Sequence, residues 1–99
     1  MSDYEYDKYL EKEMKNLFDF AISKVKDGDI QDGSIINFLS EGLFVLRILI
    51  MRRDNSEQWL KKPYLSDEKL VHMLEEARYS IDTALSIHIK NRKEAEGNV

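Results

Sequence analysis

The sequence predicts an all-α protein: an antiparallel bundle of three long helices plus one short helix, a single domain over residues 1–99, completed by dimerisation. Three observations carry that expectation. Apolar residues recur at three- and four-residue spacing along most of the chain, and no stretch reads as a strand. One proline and four glycines leave few breaks between long elements. The middle stretch GSIINFLSEGLFVLRILIMRRD, residues 33–54, is apolar on almost every side, more than the rest of so short a chain can cover.

The first helix is expected over Asp3–Lys26. Tyr6, Leu10, Met14, Leu17, Ala21 and Val25 form its apolar stripe, widened by Phe18 and Ile22. Asp3, Glu5 and Asp7 open it and Lys24 and Lys26 close it, each sign where the helix dipole favours it, before the stop DGDIQDG. A second helix begins at Asp32 or Ser34, either of which can cap it, and continues to Arg53. Asn55 or Ser56 can then cap one short turn carrying Trp59 and Leu60, a lid with Trp59 turned inward, which Pro63 ends. The last helix starts at Ser66, its hydroxyl a cap, with Asp67 and Glu68 in the first turn and Leu65 and Leu70 placed as a hydrophobic staple. Leu70, Leu74, Ala77, Ile81, Ala84, Leu85 and His88 share one face, and the helix frays through Lys90, Arg92 and Lys93 to Gly97. Packed up, down and up, these helices bring Arg52 and Arg53 to the acidic starts of the first and last.

On the second helix a 100° advance per residue puts Ile35, Phe38, Leu39, Gly42, Val45, Leu46, Leu49 and Ile50 on one broad side, facing the rest of the chain. The opposite side holds Asn37, Ser40, Glu41, Phe44, Arg47, Ile48 and Met51, a seam with coiled-coil spacing. A second copy is the economical cover. Two such helices crossing antiparallel beside Phe44 would face each Glu41 with the other chain's Arg47, because an isologous contact pairs i with j and j with i. These residues are the expected dimer interface.

Chemistry is harder to place. His72 falls on the outer side of the last helix and His88 on its core stripe, too far apart to share a metal within one chain. There is no cysteine, no HExxH or Glu-x-x-His pair, no glycine-rich loop after a strand, and no convincing Ser, His and Asp set. The sequence therefore predicts no enzyme, no catalytic or metal-binding residue and no cofactor. Nineteen acidic against fifteen basic residues mean a solvated exterior and no global pull toward nucleic acid or anionic lipid.

The expected function is that of a protein-interaction or regulatory module acting as a homodimer, with a further, unidentified protein partner. The alternative is a dimeric nucleic-acid-binding protein, in which Arg52, Arg53, Lys61 and Lys62 grip phosphates around the stacking surfaces of Trp59 and Tyr64. The acidic, aromatic beginning MSDYEYDKY is the reverse of a secretion signal. The charges Glu41 and Arg47 count against a membrane span, where about 20 largely uncharged residues are needed. A cytoplasmic protein without a membrane partner is the expectation.

Overall fold

The computed structural model describes residues 3–28, 32–56 and 64–97, and the regular elements among them are three helices: α1 (Asp3–Lys26), α2 (Asp32–Ser56) and α3 (Asp67–Gly97). No strand occurs among the described residues. α1 has the expected bounds. It closes on Gly28, whose φ of +87° is left-handed, with the Gly28 N–H donating to the Val25 carbonyl at 3.1 Å and the Asp27 N–H to the Ser23 carbonyl at 3.0 Å. Glycine reaches that conformation without steric cost.

α2 runs past Arg53 through Asp54, Asn55 and Ser56, three residues beyond its expected end. The short helix expected around Trp59 lies at residues 57–63, outside the described residues. α3 begins as its sequence implies. The Lys69 N–H donates to the Ser66 hydroxyl at 3.2 Å, and the Leu70 N–H to the Ser66 carbonyl at 2.8 Å. Ahead of the cap Leu65 is buried, and Leu70 packs against the core from the first turn.

The directions of the helices follow from their end contacts. Arg52, near the end of α2, bonds Asp7 near the start of α1, so these two are antiparallel. Asn91, late in α3, donates to the Val25 carbonyl late in α1 at 2.7 Å, so α3 runs parallel to α1. α1 is the shared support: Leu10, Met14, Phe18, Ala21 and Val25 are buried between Ile35, Leu39, Leu46 and Leu49 of α2 and Met73, Ala77 and Ala84 of α3. α2 packs closely along α1, whereas α3 touches α1 less and α2 hardly at all.

That imbalance corrects the expected stripe on α3. Leu74 and Leu85, placed in the core by spacing, are exposed, and Met73 is buried in their stead; Ala77, Ala84 and His88 are inside as anticipated. A helix leaning on one neighbour hides a narrow strip, while the wider stripe suits a helix wedged between two. The result is an open, elongated layer of 59 × 24 × 15 Å with a radius of gyration of 16.3 Å, against about 13 Å for a compact chain of 100 residues.

Candidate interaction surface

The inner side of α2 is fixed by contact with α1. Phe38 lies against the Phe20 ring with centroids 5.8 Å apart, and Gly42 sits so close to Phe18 that an added Cβ would stand 2.8 Å from its ring. Ile35, Leu39, Leu46 and Leu49 are buried on the same side. Turning outward by the 100° residue step, the far side of α2 keeps a broad apolar surface. Phe44 is 59% exposed, Ile36 53%, Met51 52% and Leu43 45%.

Of the residues expected at a dimer interface, Asn37, Ser40, Glu41, Phe44, Arg47 and Met51 are all exposed, and Ile48 is drawn partly into the core. Ile36 and Leu43 join them unforeseen. Their wheel positions fall on the border between the two sides, which is the signal that would have found them. The exposed stripe thus sits about half a residue step nearer α3 than one centred on Phe44 alone.

α3 adds to this surface. His72, Glu76, Tyr79 and Ser80 of α3 line a groove of about 490 Å³ with Lys15, Asp19 and Ile22 of α1. Those α1 residues lie away from the side that meets α2, so the opposite shoulder of α3 faces the open seam beside α2. On that shoulder stand Val71, Leu74, Leu85 and Ile89, all exposed. The two helices, which touch each other little, therefore each present a row of exposed apolar residues.

Of the basic and aromatic residues weighed for nucleic acid, the described ones, Arg52, Arg53 and Tyr64, have intramolecular partners. Arg52 bonds the Asp7 carboxylate, its guanidinium 4.6 Å over the Tyr6 ring. Arg53 bonds Asp67 and donates to the Leu65 carbonyl at 2.8 Å, which meets the expectation for this end of the bundle. The Tyr64 hydroxyl donates to Glu11 at 2.9 Å, and Lys69 pairs with the same carboxylate at 3.3 Å while lying 3.8 Å over the Tyr64 ring. Burial pushes the Tyr64 pKa upward, opposed by the Lys69 ammonium and reinforced by Glu11. For Lys69 burial works downward, but Tyr64 and Glu11 outweigh it and the net shift is upward. Trp59, Lys61 and Lys62 lie outside the described residues.

Other chemistry is sparse. His72 lies 2.9 Å from Glu76 on the solvent side, and His88 is buried late in α3. Among the described residues no group of three His, Cys, Asp or Glu side chains is placed to hold a metal ion. By length and composition α2 is apolar enough to cross a membrane, as buried core helices also can be. Comparison with protein-family models, with curated proteins and with solved structures gives no match.

Proposed function

We propose that this chain is a non-catalytic protein-interaction or regulatory module of the cytoplasm, working as a homodimer through the outer side of α2. The observation that carries the reading is the exposure of Phe44, Met51, Ile36 and Leu43 together on one helix whose other side is already packed. Contiguous apolar surface of this kind is uncommon on soluble monomers and marks interfaces, and the commonest soluble oligomer is a two-fold homodimer. A further protein partner docking on the dimer is compatible with the exposed tyrosines Tyr4, Tyr6 and Tyr9, since amphipathic aromatics are enriched at interfaces.

Two other occupants are weaker. A nucleic acid would have to displace Asp7 from Arg52 and Asp67 from Arg53, and Glu11 holds both Tyr64 and Lys69. A bilayer would receive Glu41 and Arg47 near the middle of α2, at about 2.5 to 3.5 kcal/mol for such a charge at the centre of the hydrocarbon.

Sedimentation equilibrium tests the reading. The wild type is expected at twice its chain mass of 11.7 kDa, and Phe44→Asp, which alters an exposed side chain and leaves the α1 contacts in place, at the mass of one chain with unchanged helicity. A wild type that sediments as a monomer at tens of micromolar would reject the homodimer. Binding of duplex or single-stranded DNA that weakens with salt would favour the alternative.

A further inference from the structure

We infer that the two α2 helices of the dimer run antiparallel about a two-fold axis at the Leu43–Phe44 peptide, each lying in the seam between α2 and α3 of the other copy. The inference rests on the homodimer reading above and adds register, direction and a second contributing helix. It departs from an axis beside Phe44 with Glu41 facing Arg47. In the folded chain Ile48 turns inward and Ile36 and Leu43 stand out, which moves Glu41 to the margin of the exposed stripe.

The stripe that remains is Ile36, Ser40, Leu43, Phe44, Arg47 and Met51. Any helix face is symmetric in its spacing, but this one is symmetric in its chemistry as well: apolar, polar, an apolar pair, polar, apolar. A two-fold axis between Leu43 and Phe44 sets Ile36 against the partner's Met51, Leu43 against the partner's Phe44, and Arg47 against the partner's Ser40. Apolar groups then meet apolar groups throughout, and an isologous contact repeats each pair twice. Among the described residues Arg47 makes no ion pair within its own chain. Its stem can lie along the apolar surface and carry the guanidinium to the partner's Ser40 hydroxyl at the edge.

Area points the same way. Ile36, Leu43, Phe44 and Met51 with Val71, Leu74, Leu85 and Ile89 are each left roughly half exposed. At about 100 Å² apiece these eight offer on the order of 800 Å² per copy, the share of each partner in a standard stable interface. The α2 residues alone offer about half of that. A second α2 laid in the seam covers both rows, and symmetry returns the same cover to the other copy.

The chain has no cysteine, so introduced thiols report neighbours without background. With a short bis-maleimide, Leu43→Cys is expected to link copies, its mate lying one residue along the axis, and Phe44→Cys to repeat the result. Ile36→Cys alone is expected not to link, because its mate lies fifteen residues along the helix, about 22 Å away. The doubly substituted Ile36→Cys, Met51→Cys chain is expected to link again. Efficient linking through Ile36→Cys alone means parallel helices and overturns the inference. So does a protein that sediments as a dimer while none of the four variants links, since the copies then meet on another face. A monomeric wild type is a different failure, that of the homodimer reading itself.

Discussion

At the scale of the residue, the most instructive group is Glu11 with Tyr64 and Lys69. One carboxylate on α1 accepts from the tyrosine and pairs with the lysine, tying the chain just ahead of α3 to the first helix, with Tyr4 edge-on to Tyr64 at 4.8 Å. Both Tyr64 and Lys69 have pKa values raised by folding. A raised folded value stabilises the protonated forms, so the contribution is complete below about pH 10 and is lost as pH climbs through the raised values. Glu11→Gln is expected to lower stability at pH 7 by about 1.5 to 3 kcal/mol, the worth of a hydrogen bond to a charged group. The gap between variant and wild type should narrow above about pH 10. Urea melts at pH 7, 9 and 10.5 measure it, and a gap independent of pH would contradict the assigned partnership. No signal in the sequence joins residue 11 to residues 64 and 69, since nothing local relates them.

At the scale of the element, helix ends were legible and helix faces were partly so. The bounds of α1 and the Ser66 cap follow from local chemistry that works the same way in any fold, and the carboxylate partners of Arg52 and Arg53 follow from the up, down and up order of the helices. Which residues of α3 face inward depends on how many neighbours that helix has, and spacing alone assumed one too many. Gly42 is a case between the two. The sequence sets it on the inner side of α2, but only the fold identifies its neighbour as the ring of Phe18. Gly42→Ala would gain about 1 kcal/mol of helix propensity and lose about 1 to 3 by crowding a buried ring. A net loss of about 1 kcal/mol is expected in thermal melts, and Phe18→Leu in the same chain should recover part of it as a measurable coupling. A more stable Gly42→Ala protein would mean that the ring yields freely.

At the scale of the whole molecule, three helices supported on one of their number form a layer whose open seam is apolar on both banks. A closed bundle would bury Leu74 and Leu85 against Leu43; here each is exposed. Leu74→Glu and Leu85→Glu are therefore expected to weaken self-association at least tenfold while leaving the helicity of the chain intact. Tyr79→Glu, on the α1 side of α3 beside the groove with α1, should leave association unchanged. Concentration-dependent sedimentation compares them. Equal association of all three variants with the wild type would confine any interface to α2.

The sequence by itself determined that the described chain is helical, where α1 begins and ends and where α3 begins, and that the middle helix carries more apolar surface than its inner side needs, because capping, dipole and periodicity act over a few residues. Only the tertiary structure decided that α3 leans mainly on α1, that Ile48 turns in while Ile36 and Leu43 turn out, and that the candidate nucleic-acid residues Arg52, Arg53 and Tyr64 are engaged within the chain. Those outcomes depend on which helices become neighbours, and the period of one helix contains no information about the position of the next.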